Sequence, residues 1–264
     1  MIKIGVVGAL GKMGREVVTA VINDNDTELV MAVDINGVGT DAGVAANGKE
    51  AGVCIETDIE KALTSKKPDI VIDFTQPNGI FEHVSTYIKH KVKSVIGTTG
   101  LKEEQIEELK KLSKENNTGC FIAPNFSTGA VLLMMFAKQA SKYFKNAEII
   151  ELHHNQKKDA PSGTAIKTAQ LMAEENPDFT YSNCPETELI KGSRGGIAKN
   201  NIHIHSVRLP GYIASQEVIF GASGQIFKIA HHSMNRTCYM DGILMAVKYL
   251  YDNNSFVYGL DNIM

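Results

Sequence analysis

Cysteine is scarce in this chain and poorly spaced for bonding. Cys54, Cys120, Cys184 and Cys238 lie far apart, with no Cys-x-x-Cys pair and no repeating framework. That pattern argues against a disulfide scaffold and suits reduced packing residues in a cytoplasm. Long apolar runs are missing too. Nothing approaches the roughly 20 residues that span a bilayer, and residues 132–137 fit a buried helix face instead. The first residues, Met1 to Val7, run straight into a glycine loop, so no signal peptide is expected ahead of the fold. An excess of positive charge is also lacking. Lys and Arg number 27 against 30 Asp and Glu, a net charge of -3, which offers no general attraction to nucleic acid or an acidic membrane. Internal repeats and low-complexity segments are absent as well.

What remains is an ordinary globular composition, 43% hydrophobic and 22% charged, in 264 residues. That length holds one large domain or two modest ones, and either buries a working core. Short β-branched runs at 2–7, 29–33, 69–74, 94–97 and 120–123 read as strands. Between them, 12–23, 79–90 and 102–116 carry apolar positions at helical period, with Ile106, Leu109 and Leu112 on one stripe. Strand and helix in regular alternation predict a parallel sheet covered on both faces. After Pro124 the rhythm changes. Helices are expected at 128–143, 163–175 and 235–250, and strands at 147–154, 201–208, 215–220 and 225–231. Short glycine turns at Gly211 and Gly224 point to an antiparallel or mixed sheet. The polar stretch 178–200 reads as a mobile loop. The expected architecture is α/β: an N-terminal Rossmann-type parallel sheet at 1–124, then a second α+β domain of mixed or antiparallel sheet at 125–233. Residues 234–264 are expected to pack back on the first domain.

Gly8-Ala9-Leu10-Gly11-Lys12-Met13-Gly14 follows the first strand and opens the first helix. Glycines there let the backbone turn tightly against a pyrophosphate, and free N–H groups at the helix start hold its charge. The spacing, G-x-x-G-x-x-G, is weak alone. Its context strengthens it, because the second strand ends in Asp34, where an acid can accept from both hydroxyls of an adenosine ribose. A 2′-phosphate would face that charge, and Ile35 and Asn36 supply no cation, although Lys12 could. NADH is therefore favoured over NADPH. Gly97, Thr98, Thr99 and Gly100 follow the fourth strand, and Ala123, Pro124, Asn125, Phe126 and Ser127 the fifth, where such sheets bind ligands.

The densest reactive run is Glu151-Leu152-His153-His154-Asn155-Gln156-Lys157-Lys158-Asp159-Ala160-Pro161-Ser162-Gly163-Thr164-Ala165. Ser162 can cap a helix starting near Gly163, leaving the N–H groups of Gly163 and Thr164 as an anion site. Imidazoles, ammonium groups and a helix start together suit a substrate carrying carboxylates, with proton delivery by His and Lys. His153 and His154 alternate across a strand, so only one ring need face a cleft. His203, His205, His231 and His232 read as packing or surface residues. No acidic or Cys ligands show metal-site spacing, so no metal is expected.

These motifs, in this order, resemble the dihydrodipicolinate reductase family. The resemblance rests on the opening glycine loop, Gly97-Thr98-Thr99-Gly100, Ala123-Pro124-Asn125-Phe126-Ser127 and the run from His153 to Ala165, and it spans residues 5 to about 250. Ser233-Met234-Asn235-Arg236 looks like a degenerate form of that family's Ser-Arg segment. The resemblance implies reduction of 4-hydroxy-tetrahydrodipicolinate to tetrahydrodipicolinate by NADH or NADPH with loss of water, in lysine and diaminopimelate biosynthesis, by a cytoplasmic homotetramer. It implies His153 as catalytic acid/base and Lys157 as proton donor, with His154, Gly163 and Thr164 on substrate carboxylates. It implies a cofactor lined by Gly8, Ala9, Leu10, Gly11, Lys12, Met13, Asp34, Gly97, Thr98, Thr99, Ala123, Pro124, Asn125 and Phe126. Two departures stand out. Ile35 occupies a place where the family often has Arg, and Leu10-Gly11 replaces a pair of glycines. The segment between Asp34 and Asp69 is also short, which implies a reduced adenine pocket.

Rival readings are weaker. A semialdehyde dehydrogenase needs a nucleophilic cysteine, and none of the four sits in a plausible catalytic loop. Another two-domain amino-acid dehydrogenase fits the fold but not the 153–165 run. A nucleotide-sensing regulator would need a DNA- or protein-binding module, for which the chain has no room.

Overall fold

The computed structural model describes residues 1–180 and 185–264; Cys184 lies outside the described residues. Two compact units form: Met1–Thr128 with Arg236–Met264, and Gly129–Asn235. Along the first unit run β1 (Ile2–Val7), α1 (Lys12–Asn23), β2 (Thr27–Val33), α2 (Ala42–Asn47), β3 (Ile55–Glu56), α3 (Ile59–Lys66), β4 (Ile70–Asp73), α4 (Ile80–Lys89), β5 (Lys93–Ile96), α5 (Glu103–Asn116) and β6 (Cys120–Ile122). The second holds α6 (Thr128–Ala140), which starts at the boundary, then β7 (Asn146–His153), α7 (Gly163–Glu175), β8 (Gly196–Ile197), β9 (His203–Arg208), β10 (Ala214–Ala222) and β11 (Gln225–Ser233). The chain returns to the first unit with α8 (Met240–Asp252) and β12 (Phe256–Tyr258).

The seven strands of the first unit are all parallel, in the order β12-β6-β5-β4-β1-β2-β3. Strand β4 is buried throughout, as a strand covered by helices on both faces must be. Helix α1 turns Val17, Val18 and Val21 inward. Helix α4 adds Ile80, Val84, Tyr87 and Ile88 to a core shared with Val71, Ile96 and Leu109. Each such side chain, fully buried, contributes about 1.5–3 kcal/mol. Strand order reverses between β1 and β4, and open parallel sheets bind ligands outside such a switch point.

Three features depart from expectation. Residues 42–66 contain α2, β3 and α3, where the sequence offered only a short connection; β3 has two residues, too few to show a period. Strand β12 extends the sheet by pairing Phe256 with Cys120. Helix α8 starts at Met240, after a 3₁₀ turn at Arg236–Tyr239.

In the second unit the sheet order is β11-β10-β7-β9-β8. Among the described residues only β7 and β9 run parallel; the other pairs are antiparallel. Helices α6 and α7 cover one face, with Leu133, Ala137, Ala165, Ala169 and Met172 packed on Ile149, Ile204, Val218 and Phe220. The stretch expected as a mobile loop is tethered where it is described. Arg194 reaches Glu148 at 2.7 Å and Glu186 at 3.2 Å, and β8 pairs with β9. Among the described residues no helix is long and apolar enough to cross a membrane.

Candidate functional site

Parallel register brings five loop starts to one edge of the first sheet. Val7 pairs with Val33 and with Asp73, Asp73 with Ile96, and Ile96 with Ile122. Gly8, Asp34, Phe74, Gly97 and Ala123 therefore each begin one residue past the same row. Gly8 adopts φ +79°, and a Cβ there would meet the Phe74 carbonyl at 2.6 Å. A Cβ on Gly14 would lie 1.9 Å from the Gly8 oxygen, so α1 packs against the loop only with glycine there. Gly11 caps α1 without a side-chain acceptor, and the first turn holds no acid. The positive end of the helix is thus left to an anionic ligand. These features fit a dinucleotide.

The Asp34 carboxylate accepts N–H groups from Leu10 at 2.9 Å and Asn36 at 3.1 Å. Beside it a cavity of about 530 Å³ is lined by Gly8, Leu10, Gly11, Asp34, Ile35, Asn36, Thr75, Gln76, Asn78 and His83, among others. Ile35 is 89% exposed and brings no charge. Ala9 is buried, Met13 half-buried and Lys12 exposed, and none of the three lines this cavity. Arg15 is bound to the carbonyls of Leu10 and Ala45.

Gly97-Thr98-Thr99 and Ala123-Pro124-Asn125-Phe126 sit at the same sheet edge, outside that cavity lining. A Cβ on Gly97 would fall 2.0 Å from the Phe74 ring. Phe74 also lies 6.1 Å from Phe126, centre to centre. Thr98 is buried and donates to Asp73 at 3.2 Å, whereas Thr99 and Pro124 are exposed. Asn125 accepts the Ser127 N–H at 2.9 Å. Asp73, fully buried at the end of β4, also accepts from Thr75 and from Tyr87 at 2.7 Å, and faces the His83 Nδ1 at 3.1 Å. Burial, and then the Asp73 charge, push the Tyr87 phenol well above its usual range. Sequence alone assigned no role to Asp73, Thr75 or His83. The signal was there: an acid, a hydroxyl and an imidazole following a buried strand of a parallel sheet.

In the second unit, β7 delivers Glu151 and His153 on the face that also carries Ile149. Glu151 is completely buried, and besides Ser206 four donor atoms meet its carboxylate. They are His153 Nδ1 at 2.5 Å, Arg208 Nη1 and Nη2 at 2.8 and 2.7 Å, and the Ser162 N–H at 3.2 Å. Burial alone would raise this carboxyl, but the bonds from His153, Arg208 and Ser206 outweigh it and hold it at about 2. Lys157 is pinned by both oxygens of Asp159 at 2.8 Å each. That bond, before any other influence, holds the Asp159 carboxyl below its ordinary value. Ser162 caps α7 by accepting the Ala165 N–H at 3.2 Å. Gly163 is exposed, with nothing within 4 Å of where a Cβ would stand, and Thr164 is half-buried beside it. His154, just past the end of β7, is half-buried. Residues 153–164 are therefore gathered around one strand end and one helix start. Glu151 and Arg208 were given no role from sequence, because their partnership spans 57 positions. Among the described residues no group of three His, Cys, Asp or Glu side chains could hold a metal.

A doubly wound parallel sheet with this glycine loop, joined to an α+β unit rich in proton-bearing side chains, defines a nicotinamide-dependent oxidoreductase. Family models for the N-terminus and C-terminus of dihydrodipicolinate reductase match residues 2–126 and 129–264, and the chain belongs to that family. It is 48% identical over 263 residues to the 4-hydroxy-tetrahydrodipicolinate reductase of Gloeothece citriformis, covering 97% of this chain and 96% of that one. The Syntrophomonas wolfei reductase of the same name is 46% identical over 259 residues, with 98% and 97% covered. The structure of a dipicolinate-bound dihydrodipicolinate reductase from Paenisporosarcina sp. TG-14 superposes with TM-score 0.90 at 41% identity, covering 100% of both chains. An amine dehydrogenase from Mycobacterium smegmatis, at 13% identity and TM-score 0.69 over 98% and 95% of the chains, shares the fold alone.

Proposed function

We infer that the two units serve one reaction, the reduction of 4-hydroxy-tetrahydrodipicolinate to tetrahydrodipicolinate with loss of water, in lysine and diaminopimelate biosynthesis. The observation that carries the assignment of roles is the gathering of His153, Lys157 and the α7 start within residues 153–164. When bound, the nicotinamide supplies the hydride. Negative charge then develops on the conjugated imine ring, away from the point of attack. His153 and the Lys157 ammonium stabilise that charge, with Lys157 as proton donor and His153 as acid/base. The N–H groups and hydroxyl at Gly163 and Thr164, with His154, hold the substrate carboxylates through the positive end of α7. Dipicolinate, the ligand of the Paenisporosarcina structure, is a dicarboxylate of the same class.

On the first unit, Gly8 to Met13 would hold the pyrophosphate and Asp34 the adenosine ribose. Gly97 to Thr99 and Ala123 to Phe126 would lie along the nicotinamide half. NADH is the favoured donor over NADPH, because a 2′-phosphate would meet the Asp34 charge with uncharged Ile35 next to it. A homotetramer built on the second sheet agrees with its outer strand β11, nine residues long, which leaves Ile226 72% exposed. Cys54, Cys120 and Cys238 are all free thiols, which suits a cytoplasmic enzyme.

The test is a purified-protein assay that follows nicotinamide absorbance with freshly condensed pyruvate and aspartate semialdehyde. Cofactor oxidation that requires both precursors supports this reading. Oxidation independent of either one, or none at all, refutes it.

A further inference from the structure

His153 has two ring nitrogens, and the fold has already committed one of them. Its Nδ1 lies 2.5 Å from Glu151 Oε2, while among the described residues no hydrogen bond reaches its Nε2. With an ionised Glu151 as its partner, the facing ring nitrogen has to be the donor. Glu151 is a buried acid that only accepts, its carboxylate is clamped on both oxygens by Arg208, and Ser162 donates to the oxygen that His153 does not use. Arg208 is fixed in turn by the carbonyls of Val207 at 2.8 Å and Asp159 at 2.8 Å.

We propose that Glu151 is a positioning residue for His153: its carboxylate, anchored by Arg208, takes the Nδ1–H and leaves Nε2 to exchange the proton of the reaction. The tautomer of a histidine is set by the bond its second nitrogen makes. The same carboxylate receives the N–H of Ser162, which caps α7. One buried acid therefore holds both the proton-carrying ring and the helix start assigned to a substrate carboxylate. Among the described residues no other acid bonds the His153 ring. Strand β9 brings Arg208 and Ser206 beside the pair, and the loop after β7 brings Lys157 and Asp159, already bonded to each other. Strand β10 sets Ala214, Ser215 and Gln216 opposite β7, and none of these titrates.

This inference rests on the reading of His153 as a proton-handling residue, and the test separates the two. Glu151→Gln keeps the shape but replaces one acceptor with an amide N–H₂. Arg208 and Ser162 claim the remaining oxygen, so the amide faces His153 and turns Nδ1 into an acceptor. Nitrogen-15 NMR of histidine-labelled full-length protein, assigned with His153→Ala and read where the ring is neutral, should show Nδ1–H in the native enzyme. In Glu151→Gln it should show Nε2–H. In steady-state kinetics Glu151→Gln should lower kcat on the order of 10²-fold, as loss of a positioned proton carrier does, with KM within about threefold. Glu151→Asp, which restores the charge, should recover part of that loss. Native Nε2–H overturns the proposal, even if the variant fails to fold. Native-like kcat in Glu151→Gln together with a strong loss in His153→Ala also overturns it and spares the reading of His153. Native-like kcat in both removes the reading itself.

Discussion

Leu10 donates its main-chain N–H to the Asp34 carboxylate over 2.9 Å, so the acid proposed for the ribose also holds the glycine loop proposed for the pyrophosphate. A hydrogen bond to a charged group is worth about 1.5–3 kcal/mol, and Asp34 already makes two of these, with Leu10 and Asn36.

Asp34→Ala should therefore weaken NADH binding about 10- to 100-fold, and NADPH binding less, because it also removes repulsion from the 2′-phosphate. Asp34→Asn keeps an acceptor for Leu10 and should narrow the gap between the two cofactors without loosening the loop. Fluorescence titration of each cofactor is the measurement. Equal losses for both in Asp34→Ala would contradict the ribose assignment.

Thr164→Ala, or a bulky residue as in Gly163→Leu, should raise KM for the dicarboxylate roughly 10-fold or more, at the scale of one charge-assisted bond. NADH affinity should stay nearly unchanged. Gly163 is exposed with open space around it, so the added bulk should block the ligand without disturbing the core. A collapse of NADH binding with substrate KM intact would show that α7 faces the wrong ligand.

Stability should fall in acid through the Glu151 cluster. Its carboxyl is held at about 2 in the fold, against 4.5 for an ordinary glutamate. A carboxyl depressed in this way stabilises the fold above its unfolded pKa and loses that contribution as pH falls towards its folded one. The difference amounts to something on the order of 3 kcal/mol. Thermal melts between pH 7 and about pH 3 should show Glu151→Gln losing less stability than the native chain. Parallel declines would mean that other carboxylates govern the acid limb.

Much of this could be read in the chain. Helix α7 begins and ends where the Ser162 cap and apolar spacing place it, and β1 and α1 coincide with the expected ranges. Local signals sufficed there. They failed for β3 and β12, which are two and three residues long and exist because neighbouring strands offer them ladder bonds. They failed also for Asp73 and Glu151. A buried carboxylate is tolerable only when its donors converge, and those donors arrive from distant positions: Tyr87 and Thr98 in one case, Arg208 in the other. Asp34 and Gly8 were legible as a pair because the parallel register of β1 and β2 follows from the alternation itself.

The central claim is that residues 153–164 carry the proton chemistry while the first unit carries the cofactor. Steady-state kinetics of His153→Ala and Lys157→Ala, paired with direct NADH titration, test it most directly. His153→Ala should lower kcat by about 10²–10⁴-fold with little change in KM. Lys157→Ala should lower kcat and also raise KM, because the proposed role has its ammonium both attract the dicarboxylate and donate the proton. NADH should bind both variants as it binds the native chain. Near-normal kcat in both would contradict the account, however closely the 153–164 run matches its family.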